Sequence, residues 1–345
     1  MIMNQQIDLR SDTVTKPTPE MRSFMAEAQV GDDVFGEDPS INDLQEKMAR
    51  LCGKEAALFV PSGTMANQIA LKTHTQPGDE VICEYGCHIF NYEGGGGSLF
   101  SGVQIHPLRG ERGAISSEQI EAVIRPDDPH FARTRLIEIE NTHNRAGGAI
   151  FPIDEIARIR RLADERHLKM HLDGARLWNA HVATGISISD WCASFDSISL
   201  CFSKGLGAPV GSILVGAHEF IHQAHRYRKM FGGGMRQAGS LAACALYAVK
   251  NHVQRLADDH NRTRILAQKF HQFGATYDHD ATKTNIVIVD FKSLDKKADS
   301  LVQQFAKAGL LALSVSPTRI RFVTHLDFND SGLDKALSII DSILA

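Results

Sequence analysis

Apolar residues in this chain fall into short runs separated by stretches in which apolar positions recur every three or four residues. The runs rich in Val, Ile, Leu and Phe predict strands at Ala56–Val60, Glu80–Glu84, Val103–Pro107, Arg135–Glu140, Lys169–Asp173, Ser197–Ser203 and Gly211–Val215. The stretches of helical period predict helices at Ile41–Leu51, Ala66–His74, Ser117–Ile124, Ile153–Arg166 and the long Leu241–Phe273. Strand–helix alternation of this kind implies an α/β protein with a mainly parallel sheet covered on both faces. After the long helix the pattern changes. Thr284–Phe291 and Thr318–Val323 read as strands, and Leu294–Ala308 and Ser331–Leu344 as helices. The expected organisation is a large domain over residues 1–254 and a small α+β C-terminal domain over 255–345.

Three points along this frame carry candidate chemistry. Lys204 follows a strand run and precedes Gly205, with Ser203 before it. Such a lysine has steric room beside its amine and can form a Schiff base with a carbonyl cofactor. Taken alone, it fits a surface charge beside glycines equally. Asp173 ends the strand run upstream, and a strand-terminal acid facing a Schiff-base lysine is what pyridoxal phosphate (PLP) chemistry needs: a carboxylate at the ring nitrogen keeps the electron sink protonated. Taken alone, Asp173 fits a strand-end cap. Ser62, Gly63 and Thr64 follow the run Ala56–Val60 and open a helical pattern. Hydroxyls, free N–H groups and the helix dipole make that turn a candidate phosphate cup. Each of the three lies at or just after the end of a strand, where ligands gather in such sheets.

Bulk properties narrow the field. The 345 residues carry a net charge of −4 with mixed signs, so no nucleic-acid footprint appears. The densest basic run, His225–Lys229, reads as a solvated helix face or a subunit contact. No apolar run approaches the ~18 residues of a membrane span, and Met1–Arg10 has no cleavage signal. The six cysteines, Cys52, Cys83, Cys87, Cys192, Cys201 and Cys244, form no C-x-x-C pair and read as reduced thiols of a cytoplasmic protein. Cys83, Cys87 and His88 lack a fourth ligand at useful spacing, so no metal is expected. A nicotinamide fold would need G-x-G-x-x-G after an early strand, and the glycines of Gly94–Gly97 have the wrong spacing. They read as a sharp turn or a close backbone approach.

The chain resembles the low-specificity L-threonine aldolases from Ile7 to about His325. The motifs that carry the resemblance are Asp8–Pro17 (DLRSDTVTKP), Gly31–Pro39 (GDDVFGEDP), Pro61–Asn67 (PSGTMAN), Glu140–Asn144 (ENTHN), His171–Arg176 (HLDGAR), Ser203–Gly211 (SKGLGAPVG), Gly232–Gln237 (GGGMRQ) and Arg321–His325 (RFVTH). The resemblance implies a PLP-dependent transferase-like fold (fold type I) and retro-aldol cleavage of β-hydroxy-α-amino acids. It implies that Lys204 carries PLP and that Asp173 pairs with the ring nitrogen. Ser62, Gly63 and Thr64 would hold the phosphate, with Arg236 as a further contact across a subunit boundary. His88 would stack on the ring, and His143 would stand near the substrate β-hydroxyl. Ser11, Arg176 and Arg321 would hold the substrate carboxylate, Arg176 close to the cofactor as well. A homotetramer is implied too. On residue chemistry alone His88 and His143 could exchange roles, and Arg319 shares a strand face with Arg321.

Two positions depart from the family pattern. Phe35 stands where tyrosine is expected, so any work of that hydroxyl is absent or moved, with Tyr92 as the candidate. Cys87 stands where serine is usual. The rival readings are a PLP-dependent β-eliminating lyase on the same scaffold and a catalytically silent PLP-binding protein. The silent protein would require a lost lysine, acid or clamp.

Overall fold

A computed structural model describes residues 6–345; residues 1–5 lie outside the described residues. All seven strands expected before residue 216 form one sheet. They are β2 (Ala56–Val60), β3 (Asp79–Glu84), β4 (Gln104–Leu108), β5 (Arg133–Glu140), β6 (Lys169–Gly174), β7 (Ser197–Cys201) and β8 (Ser212–Gly216), numbered after a short β1 (Ile7–Asp8). The order is β2-β8-β7-β6-β5-β3-β4. Neighbours from β7 to β4 run parallel, and β8 runs antiparallel to both β2 and β7. β7 is buried along its whole length and β6 from Met170 onward. β6 and β7 alternate apolar with polar residues all the same, and the polar His171, Asp173, Ser197 and Ser199 are buried.

Helices cover the sheet. Pro39–Leu51 starts at Asp38, whose carboxylate accepts from the N–H groups of Ser40 and Ile41 at 3.1 Å each. Gly63–His74 starts at Ser62. The helix His218–Met230 carries the basic run His225–Lys229, and here the expectation fails at one residue. Arg228 is buried, paired with Asp33 at 2.7 Å, and donates to the Phe59 carbonyl at 2.9 Å. A charge run says nothing of which member turns inward to a distant acid.

The long helical stretch is also two helices, Gly239–Asn251 and Leu256–Gln272. No glycine or proline marks the break. At the break, buried His252 bonds through Nδ1 to the Leu206 carbonyl at 2.7 Å, in the turn after Lys204. The chain is bent by a tertiary contact that leaves no local signature.

The second sheet has the antiparallel order β12-β13-β10-β9, from β9 (Thr276–Tyr277), β10 (Ile286–Asp290), β12 (Leu313–Ser314) and β13 (Arg319–Val323). The helix Leu256–Gln272 packs on β9 and β10 and Ala298–Ala308 on β12 and β13, while Asp330–Leu344 packs against these two helices; the turn Lys292–Leu294 is 3-10, so Ala298–Ala308 starts later than expected. This sheet has its own core around Phe270, Phe291, Phe305 and Phe322. Ile7 and Leu9 belong to that core, because β1 pairs in parallel with β11 (Leu310–Leu311) and the Val323 N–H donates to the Leu9 carbonyl at 2.9 Å. The chain start is thereby carried to the carboxyl end of the central strand β6, where Asp12 meets Arg176.

Candidate active site

The carboxyl ends of β3, β5, β6 and β7 gather the candidate residues. β7 stops at Cys201, so Phe202–Lys204 form the turn itself and Lys204 stands half-buried at its head. Asp173 is buried near the end of β6. Its Oδ2 accepts from Asn67 Nδ2 at 2.8 Å and its Oδ1 from the Ala175 N–H at 3.0 Å. Burial alone would raise its pKa. The positive charges of Lys204 and His88 and the two hydrogen bonds outweigh that and hold it below the ordinary carboxylate range.

His88 opens a short helix after β3. Its Nδ1 bonds Glu93 Oε1 at 2.8 Å, and its N–H donates to Glu140 Oε2 at 2.7 Å. His88, Glu93 and Asp173 bring their polar atoms within 4.8 Å of one another. Burial pulls the His88 pKa down, but Glu93 and Asp173 carry it above the ordinary value. His143 is placed differently. It is buried, with Nε2 on Glu84 Oε2 at 2.9 Å and Nδ1 receiving the Ala146 N–H at 3.2 Å. Both of its ring nitrogens are engaged within the chain, whereas Nε2 of His88 has no hydrogen-bond partner among the described residues.

At the helix start, Ser62 Oγ accepts from the Met65 N–H at 3.2 Å. That leaves the N–H groups of Gly63 and Thr64 without a helical partner. A Cβ on Gly63 would lie 2.7 Å from Cys201 Sγ, so the close approach of this turn to the end of β7 requires glycine. Free N–H groups at a helix start, an ionised buried acid and a lysine amine fit the phosphate, ring nitrogen and aldehyde of PLP.

The arginines divide sharply. Arg176 spends Nε and one Nη on Asp12, at 2.8 and 2.7 Å, and both partners are buried. Asp12 also receives Asn285 Nδ2 at 3.1 Å. Arg321 donates to Asn144 Oδ1 at 2.8 Å and to the Arg10 carbonyl at 3.0 Å, but its buried Nε has no partner. No carboxylate among the described residues lies within ion-pair distance of it. Burial and the neighbouring Arg176 lower its pKa. Arg319 is exposed and paired with Asp290 at 2.9 Å. Ser11 caps the turn Asp12–Val14, accepting from Thr13 N–H and Oγ1 at 3.2 and 2.9 Å. Arg236 is exposed on Asp32 at 3.2 Å and does not join the cup within its own chain. Phe35 is exposed as well, while the Tyr92 ring centroid is 5.7 Å from that of His88. All six cysteines are unpaired and buried; Cys83 and Cys87 lie beside the Glu138 carboxyl, apart from His88.

Asp12, Asn67 and Glu93 are site residues that sequence reasoning did not single out. Asp12 and Asn67 stand inside matching motifs. Nothing local marks Glu93.

The Asp12–Arg176 pair has a measurable cost of removal. The Asp12 carboxyl is lowered to about 2, because Arg176 and Lys204 outweigh its burial. A depressed folded-state pKa stabilises the fold above the unfolded value of ~3.9 and loses that contribution as pH falls toward 2. Asp12→Asn should cost about 3 kcal/mol in urea unfolding at neutral pH, since it leaves Arg176 buried without its counter-charge. The gap to wild type should close between about pH 4 and pH 2. A gap that stays constant over that range would mean that the pair does not set it.

The sheet order and the residues gathered at these strand ends and this helix start fit a PLP-dependent enzyme of fold type I. Comparison with known proteins sharpens the class. A sequence model of the β-eliminating lyase family matches residues 8–293. The low specificity L-threonine aldolase of Escherichia coli strain K12 is 42% identical over 322 residues, covering 93% of this chain and 94% of that one. A probable low-specificity L-threonine aldolase of Arabidopsis thaliana is 43% identical over 343 residues, covering 98% and 97%. The chain belongs to the low-specificity L-threonine aldolase family. Its fold is that of the Leishmania major threonine aldolase (TM-score 0.86, 18% identity, 98% of this chain and all of that one). It also matches an aspartate aminotransferase of Thermus thermophilus (TM-score 0.74, 16% identity, 99% and 92%).

Proposed function

We propose that the protein is a PLP-dependent aldolase that cleaves L-threonine, L-allo-threonine and related β-hydroxy-α-amino acids to glycine and an aldehyde. The observation that carries this reading is the Arg321 guanidinium. It has no acidic partner and stands beside the Asp12–Arg176 pair, whose carboxylate in turn feels Lys204. A planar fork of donors without a counter-ion suits an amino-acid carboxylate.

PLP, when bound, supplies an electron sink for the electrons released as Cα–Cβ breaks. The chain does the rest. Lys204 Nζ carries the cofactor and returns a proton to Cα. Asp173 accepts from the ring N–H. Ser62 and the N–H groups of Gly63 and Thr64 hold the phosphate, with Arg236 of a second copy. Arg321 would fix the α-carboxylate, with Arg176 behind it while bonded to Asp12 and Ser11 at its edge, and would so orient the bond to be broken. His88 would cover the ring, and its Nε2, the nitrogen without a partner among the described residues, would take the β-hydroxyl proton from the neutral form of the imidazole, a form that the raised pKa makes less populated. His143, bonded on both sides, braces Glu84.

The expected products from a panel of threonine, allo-threonine, phenylserine and serine are glycine and the matching aldehyde. Pyruvate and ammonia without glycine would overturn this reading in favour of β-elimination, which the family match also accommodates. Arg321→Lys keeps the charge and loses the fork. It should weaken threonine and glycine binding alike, lower kcat, and leave PLP affinity near wild type, with an overall loss in kcat/KM of about 10- to 100-fold. Steady-state kinetics beside PLP titration checks this. If Arg319→Lys is crippled instead, the clamp is Arg319.

The reading extends to a division at residues 254/255, supported by the helix break and the separate core of the second sheet. It extends also to a cytoplasmic homotetramer. No helix among the described residues is long and apolar enough to cross a membrane. Leu99, Phe100 and Met230 stand exposed around Phe231 and would be covered by another copy. Light scattering that returns the mass of a single chain would overturn the tetramer.

A further inference from the structure

Asp173 stands at the end of a buried line of neutral side chains that runs between the helix Gly63–His74 and the face of β6 and β7. Asn67 Nδ2 donates to Asp173 Oδ2 at 2.8 Å and to Glu93 Oε1 at 2.9 Å. Asn67 Oδ1 lies 2.7 Å from Ser199 Oγ and 3.1 Å from His171 Nε2. His171 Nδ1 is 2.8 Å from Ser197 Oγ, which is 2.7 Å from His74 Nε2. The His74 ring stacks on Phe220 with centroids 4.6 Å apart. Asn67, His171, Ser197 and Ser199 are all buried.

The direction of every bond follows from chemistry. An amide nitrogen only donates, and the opposite amide orientation would set Oδ1 against two carboxylates, so Nδ2 faces Asp173 and Glu93. Oδ1 must then receive protons from Ser199 and from His171 Nε2. Burial drives the His171 pKa down to about 4, leaving a neutral ring with that one N–H. Its Nδ1 therefore accepts from Ser197, and the Ser197 oxygen accepts from His74 Nε2. All the donors in the line point toward Asp173. Aligned hydrogen bonds in a low-dielectric interior polarise one another. The same amide also reaches His88, because Glu93 Oε1 accepts from both Asn67 and His88 Nδ1.

We propose that Asn67 is a positioning residue of the active site, whose two N–H bonds set the Asp173 carboxylate and the Glu93–His88 pair at one fixed separation from each other. This rests on the PLP reading above. The amide touches neither substrate nor reacting atoms. It acts through the acid below the ring nitrogen and through the histidine that covers the ring.

The test uses the holoenzyme reconstituted with ¹⁵N-labelled PLP, whose ring-nitrogen resonance reports protonation directly. Asn67→Asp keeps the shape and replaces both donors by an acceptor. We expect the ring-nitrogen signal to move toward its unprotonated value at neutral pH. The PLP dissociation constant should rise about 10- to 100-fold, as for loss of hydrogen bonds to a charged group. The kcat should fall by a similar factor while the KM for threonine changes less than about threefold. A variant with a lower melting temperature but an unchanged ring-nitrogen signal and PLP affinity would overturn the proposal, since a merely structural role predicts that result. Should Asn67→Asp fail to fold, Ser199→Ala removes a single donor to Oδ1. It should move the same two readouts in the same direction by about 3- to 10-fold, and no movement overturns the proposal. Wild-type protein that takes up no PLP would instead overturn the functional reading on which this one stands.

Discussion

Lys204→Ala should reduce aldehyde release from threonine on the order of 10³-fold or more, with threonine binding changed far less. Lys204 stands half-buried at the head of the turn after β7, and its charge acts on Asp173, Asp12 and His88 together. No other lysine holds such a position. Lys229 lies exposed on the helix His218–Met230. Borohydride reduction of the wild-type holoenzyme followed by peptide mapping should put the pyridoxyl label on Lys204. A label on Lys229 or any other lysine would remove the basis for the assignment. The alanine variant should still bind PLP through the phosphate cup, but without the absorbance of the lysine-bound form.

Asp173→Asn is the second large effect. The exchange keeps the shape and removes the negative charge under the ring nitrogen. It also turns one end of the residue into a donor facing the Asn67 N–H, which already points there. Stabilisation of the developing carbanion should fall, and kcat should drop by about 10²- to 10³-fold while PLP remains bound. The rival role is visible too, because Asp173 Oδ1 caps the turn through the Ala175 N–H. A near-normal kcat in Asp173→Asn would leave that cap as the whole function of the acid. Rapid-quench measurement of glycine formation separates a slow chemical step from slow product release.

The spacing of short apolar-rich runs between helical periods made the large sheet legible, although β6 and β7 alternate apolar with polar residues. The positions of Ser62, Asp173 and Lys204 were legible because each stands at a strand end or helix start with its own turn chemistry. The pairing of Arg176 was not, because the fold brings Asp12 across 164 positions to take both prongs. Glu93 was hidden for a related reason: it follows a helix of only four residues, and its meaning comes from Asn67, Gln68 and His88 converging on it. The break at His252 likewise depends on a carbonyl 46 positions away. Local pattern records which face of an element is buried. It does not record which distant partner covers that face.

The parallel pairing of Ile7 with Leu310, and of the Leu9 carbonyl with the Val323 N–H, ties the beginning of the chain to residues made near its end. A ribosome releases the seven strands of the large sheet well before Leu310 emerges, so that sheet can assemble while synthesis continues. Asp12 can reach Arg176 along this path only once β11 and β13 exist to hold the segment before it. Nascent chains stopped short of residue 310 would hold Lys204, Asp173 and the cup on a formed sheet, with the Arg321 clamp not yet made. On the roles proposed for these residues, the cofactor site would be complete during translation before the substrate clamp.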